Sequence, residues 1–182
     1  MKPLALAAID TLLALALVLV PPTPPPTPKS NVEAEGRVLV RVTWKPGTDF
    51  DVDTWVQAPN GEVVSFLAQQ AGGLFLSRDD LGITGDRARE YFSPNNEERV
   101  TVMAPQAGEY TANVFLYRGD GDVLVTVRLY KLGGTDRLVH TVRVWLRGKG
   151  SEQTAFRFSL DGQERVHGLN RLRKHLAQAA PA

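Results

Sequence analysis

The sequence has no cysteine. That absence excludes disulfide frameworks, thiol nucleophiles and cysteine-ligated metals. It leaves the compartment open. Histidine is nearly absent too: His140, His167 and His175 form no ligand-like spacing, so a histidine-rich zinc site is not expected. Excess charge of either sign is missing as well. Lysine and arginine total 21 and aspartate and glutamate 20, for a net charge of +1, which gives no global attraction to nucleic acid. No P-loop is present, no catalytic carboxylate pair stands out, and Ser65 and Ser159 lack a nucleophile-elbow context. The chain therefore reads as something other than an enzyme. Its 182 residues allow one ordinary domain together with an anchor and a linker.

The one long apolar run is at the amino terminus. Leu4 to Val20 is apolar except for Asp10 and Thr11. A helix from Pro3 to Val20 would rise about 27 Å, enough for a thin hydrocarbon core. Pro3 suits a first helical turn, and Pro21 and Pro22 end the run. A cleaved signal peptide also begins with a basic residue, here Lys2, and an apolar stretch. Against cleavage, Asp10 interrupts that stretch, and prolines follow where a small-residue cleavage site would be. The expectation is a retained single span over residues 1–20, amino terminus cytoplasmic and bulk periplasmic. An aspartate within a span opposes insertion by about 2.5–3.5 kcal/mol and commonly marks an ion or proton path. The other reading of Asp10 is an acid near the membrane edge that reaches water.

The segment AAIDTLLALALVLVPP, about sixteen residues, resembles the membrane helix of the ExbD, TolR and MotB proteins. Asp10 falls where those proteins carry the proton-bearing aspartate, between Ile9 and Thr11. The resemblance implies a homodimeric subunit of a proton-driven inner-membrane motor, with Asp10 and Thr11 as the ion-carrying residues. It also implies a multi-span MotA/ExbB-like pentameric partner and a cell-wall or periplasmic protein target. The chain departs from the family in its very short cytoplasmic tail and in its soluble domain. Without the resemblance, the same features read as a membrane-anchored or secreted β-sandwich binding module with no ion-conducting role.

Residues 21–34 form the expected linker. Six prolines in the eight positions 21–28 favour polyproline II, a semi-rigid spacer.

From residue 35 to 165 the pattern is β. Val38, Val40, Val42 and Trp44 alternate with Arg41 and Thr43. Pro59-Asn60-Gly61 marks a hairpin between two strands. Further strands are expected at 74–77, 98–104, 109–117, 123–131, 137–147 and 154–160, separated by glycine-rich turns. About nine short strands argue for an all-β, antiparallel sandwich, Ig-like or jelly-roll-like. Residues 78–97 are a polar loop of functional length, with room for a short helical turn. The tail at 166–182 carries Leu169, Leu172 and Leu176 at helical spacing, so a short basic amphipathic helix or tail is expected there.

DFDVDTWVQAPNGEVV, SRDD and ERVTVMAPQAGEYTANVFLY together resemble bacterial extracytoplasmic sandwich domains with a DxDLxV strand and a late P-x-x-G-x-Y strand. Such domains are commonly structural or binding modules. The acids also suggest calcium, because hard cations take several oxygen ligands. Asp49, Asp51 and Asp53 alternate, and Asp79-Asp80 follow in a loop, so these five are the candidate ligands. They lack EF-hand spacing, and Asp51 and Asp53 equally suit turn-forming aspartates at a strand start. Arg128, Arg143, Arg147 and Arg157 fall on polar faces of late strands, either as a basic surface for an anionic cell-wall polymer or as an ordinary solvated face.

Overall fold

The computed structural model describes residues 37–88 and 95–177. The expected span with Asp10 and Thr11, and the proline-rich linker, lie outside the described residues. Among the described residues no helix is long and apolar enough to cross a membrane.

Among the described residues, eleven strands and one short helix follow in order. They are β1 (Val38–Thr43), β2 (Asp51–Gln57), β3 (Val63–Val64), β4 (Gln70–Ala71), β5 (Leu74–Arg78), α1 (Gly82–Ala88), β6 (Glu97–Val102), β7 (Gly108–Arg118), β8 (Asp122–Lys131), β9 (Arg137–Arg147), β10 (Glu152–Leu160) and β11 (Val166–Asn170). They build two antiparallel sheets. One has six strands in the order β4-β5-β6-β1-β8-β9, the other five in the order β11-β10-β7-β2-β3.

Alternation explains why the sheets stack. In β1 the valines Val38, Val40 and Val42 are buried and the residues between them are not. In β8, Val123, Val125, Val127 and Leu129 do the same. The five-stranded sheet answers with Val52, Val56, Tyr110, Ala112, Val114, Leu116, Phe156 and Phe158, and all of these join one core. Each such side chain taken from water contributes about 1.5–3 kcal/mol before entropy is set against it. The chain crosses between sheets at short connections, and these carry special residues. Gly119 turns β7 into β8 with φ +134°, and a Cβ there would lie 2.2 Å from Phe50 Cδ1. Early in β7, the hydroxyl of Tyr110 donates to the Gln106 carbonyl at 3.0 Å and accepts from the Gln106 amide at 2.8 Å. Its ring stacks on Phe158 with centroids 5.0 Å apart. The P-x-x-G-x-Y stretch is thus a tyrosine corner that fixes where the strand enters.

Two elements differ from the sequence expectation. β4 is only two residues long, below what alternation reveals. The expected C-terminal α-helix is not formed by the described tail: Val166–Asn170 is a strand paired to β10, and residues 171–176 after it have no regular secondary structure. The reason is tertiary. The amides of Leu176 and Ala177 donate to Glu152, and the Lys174 amide donates to the Thr154 hydroxyl. Such a short isolated helix is marginal in water and yields to these acceptors.

Candidate functional site

The site begins at an incomplete sheet edge. β3 pairs with β2 only at Val56 and Gln57, so the first half of β2 has no strand on that side. An edge amide buried there needs another acceptor. Glu98 of β6, in the opposite sheet, supplies it: the Thr54 amide donates to Glu98 Oε2 at 2.6 Å. Glu98 is fully buried, because it shares the inward face of β6 with Val100 and Val102.

The turn after β5 brings the second acid. Asp80 holds this turn by accepting from the Gly82 amide at 3.0 Å and the Glu97 amide at 3.1 Å, and it pairs with Arg78. Gly82 has φ +69°, a conformation that favours glycine, and a Cβ would crowd Asp49 at 3.1 Å. The turn so fixed sets Asp79 beside Glu98 and Asp53. The carboxylates of Asp53, Asp79 and Glu98 each place one oxygen so that all three lie within 4.8 Å of one another. Asp53 is 3% exposed and Glu98 0%. Asp53 Oδ2 and Glu98 Oε1 are buried with no hydrogen-bond partner.

Burial, reinforced by the charges of Asp51 and Asp79, pushes the Asp53 carboxyl up to about 8. Burial also drives Glu98 well above the usual carboxylate range, with Asp53 adding to the effect against the opposing Thr54 bonds. A group of acids in this setting is neutralised by protons or by a cation.

Of the five acids expected to bind calcium, the structure brings only Asp53 and Asp79 together. Asp49 instead accepts from the Thr84 amide at 2.9 Å and hydroxyl at 3.0 Å, which holds its carboxyl below the usual range. Asp51 faces Arg118 at 3.9 Å, and Asp80 is occupied by its turn. Glu98 was not among the expected ligands. Period-two alternation from Val100 and Val102 back to Glu98 is the signal that places it inward.

A second feature lies on the outer face of the six-stranded sheet. The register sets Arg99, Arg41 and Arg128 side by side on β6, β1 and β8. Arg143 is the diagonal neighbour of Arg128, through the Thr126↔Arg143 and Arg128↔Thr141 pairs. Glu97 lies between Arg41 and Arg99 and accepts from both guanidinium groups. Its carboxyl is held low by these bonds against the opposing effect of burial. Arg128 donates to the Thr43 hydroxyl at 3.3 Å, and among the described residues no carboxylate pairs with Arg128 or Arg143. Leu39, Arg41, Arg99, Tyr130 and Asp136 line a shallow depression on this face. Trp145, 48% exposed, lies outside this depression on β9, opposite Leu124 of β8, with the Arg147 guanidinium 4.8 Å from the ring centroid. Arg147 also pairs with Asp122. Of the four arginines noted in the sequence, Arg157 stands apart: it is on β10 in the other sheet, bonded to Glu109.

Comparison with family models, with curated proteins and with solved structures finds no match to this chain.

Proposed function

We propose that the chain is an extracytoplasmic binding module, tethered through its apolar amino-terminal segment, that takes an acidic polysaccharide on the outer face of its six-stranded sheet. The observation carrying this reading is the arginine row. Arg41, Arg99, Arg128, Arg143 and Arg147 share that face with Glu97 and Asp122 of its strands and with Asp136 beside the depression. Glu97 gives an internal pattern for the ligand: one carboxylate bridges two neighbouring guanidinium groups. Arg128 and Arg143 repeat the arrangement without an acid of their own. The planar fork of arginine suits carboxylates. The exposed Trp145 ring offers an apolar body against which a sugar ring can lie. In detail the sandwich reads as Ig-like, a view favoured by the Tyr110 corner.

The test uses the full chain in detergent with polygalacturonate as probe. Binding is expected at low salt, weakening as salt rises, with a loss of tenfold or more in an Arg128→Glu, Arg143→Glu double variant. Absence of binding, or binding unchanged in the double variant, overturns the reading.

Asp10 favours a second reading, the ion-carrying subunit of a proton-driven motor. In it Asp10 and Thr11 lie on the ion path, the chain dimerises, and a multi-span pentameric partner surrounds the helix. The effect of Asp10→Asn in cells, read together with mass spectrometry of the mature protein, separates the two. An amino terminus near residues 21–31 eliminates the motor. An intact Met1 end, with loss of function in Asp10→Asn cells, favours it.

A further inference from the structure

We propose that Asp53, Asp79 and Glu98 hold one calcium ion, which acts as a clasp between the two sheets. Three separate elements meet at this point: β2 from the five-stranded sheet, β6 from the six-stranded sheet, and the turn between β5 and α1. The oxygen spacing fits a cation. Two ligands on opposite sides of calcium, each at about 2.3–2.6 Å, stand about 4.6–5.2 Å apart, and adjacent ones are closer. The mutual limit of 4.8 Å is within that range.

The second observation is independent of the acids' proximity. Asp53 and Glu98 are each more than nine-tenths buried, and each holds an oxygen with no hydrogen-bond partner. A buried polar atom without a partner is destabilising, the more so when charged. Proteins rarely retain two such atoms beside each other. Two other buried acids of the fold are supplied with donors: Glu152 takes them from Asn113, Leu176 and Ala177, and Asp80 takes two backbone amides. A cation between the three carboxylates supplies the missing partner to both oxygens.

Ligand chemistry selects the ion. An all-carboxylate set is hard, so zinc and copper, which favour nitrogen and sulfur, are poor candidates. Magnesium demands near-ideal octahedral geometry and keeps several waters. Calcium tolerates the irregular arrangement that two strands and a turn impose. The clasp crosses the rim where the first half of β2 has no strand on its outer side, so its loss is felt first at that edge.

The experiment uses the full chain in detergent micelles, stripped with EDTA and dialysed to pH 8. Titration calorimetry with calcium chloride is expected to show one equivalent bound. The melting temperature is expected to rise with calcium concentration, and magnesium is expected to bind at least tenfold more weakly. Asp79→Asn, in the turn, and Glu98→Gln, in the core, should each weaken calcium binding at least tenfold. Asp49→Asn, outside the trio, should leave it unchanged. Circular dichroism confirms that each variant is folded, and Asp79→Asn keeps the test valid if the core variant does not fold. No heat and no melting shift in the folded wild type, or unchanged calcium affinity in folded Asp79→Asn, overturns the proposal.

Discussion

Glu98 and Thr54 join the two sheets of the sandwich through a single side-chain-to-backbone bond of 2.6 Å. It stands in for the strand that β3 is too short to provide. Glu98→Ala removes the acceptor and leaves a buried amide alone, a loss of about 1–3 kcal/mol to which a cavity adds. Glu98→Gln keeps an acceptor carbonyl for the same amide and removes the charge. In EDTA at pH 8 we expect Glu98→Ala to melt several degrees below wild type and Glu98→Gln to melt at or above it. Thermal melts followed by circular dichroism check the order. If both variants lost stability equally, the Thr54 bond would not be what Glu98 contributes.

Asp53 gives a pH dependence of definite sign. Its folded-state carboxyl lies near 8, far above the usual aspartate value of 3.8. Protonation therefore favours the folded state. The stabilisation it brings is full below about pH 4 and is lost as pH rises toward 8. Asp53→Asn mimics the protonated form at every pH. Without calcium, the melting temperature of Asp53→Asn minus that of wild type is expected to grow steadily from pH 4 to pH 8. Taking the difference removes the acids that do not interact with Asp53, and leaves Asp53 with its coupling to Glu98. A flat difference across that window would show that Asp53 titrates as an ordinary carboxylate.

Much of this architecture is legible in the sequence, and the exceptions have physical causes. β1 and β8 announce themselves because one face of each is buried and the other is not, and the second half of β9 alternates in the same way. The Pro59-Asn60-Gly61 hairpin is visible from its turn residues, which joins β2 to β3. β11 was hidden because Leu169 and Leu172 are exposed rather than core residues, so helical spacing there carried no packing information. The site was half legible. Alternation put Asp51 and Asp53 on one face of β2, and the loop acids were plain. Which acids converge depended on three things that local pattern does not encode: the Asp80 turn, the Arg118 contacts and the short β3.

The tyrosine corner is a test of how the sheets are joined. Tyr110→Phe deletes the hydroxyl that serves both the amide and the carbonyl of Gln106 and keeps the ring stacked on Phe158. The expected loss is about 1–3 kcal/mol, read as a lower urea midpoint with an unchanged slope. Hydrogen exchange should speed at the Gln106 amide. If exchange there were unaltered, the corner would be ornamental to this crossing.

Glu152 anchors the carboxy-terminal stretch. It accepts from Asn113 at 2.5 Å, from the Leu176 amide at 2.8 Å and from the Ala177 amide at 3.1 Å, with His175 Nδ1 at 3.2 Å. Burial opposes its charge, but these donors together hold its carboxyl below the usual glutamate value of 4.5. The sign is opposite to that of Asp53. The stability Glu152 gives is present above about pH 4.5 and is lost as pH falls through its lowered folded value. Leu176, 2% exposed, is held in place by the same bonds. Glu152→Ala is therefore expected to release this stretch without unfolding the sandwich. The backbone there would exchange hydrogen faster, and trypsin would cut after Arg173 or Lys174 at a rate raised tenfold or more. Wild type should show the same accelerated exchange only in strong acid. Equal cleavage of variant and wild type at pH 7 would mean that Leu176 packing, and not Glu152, fastens the tail.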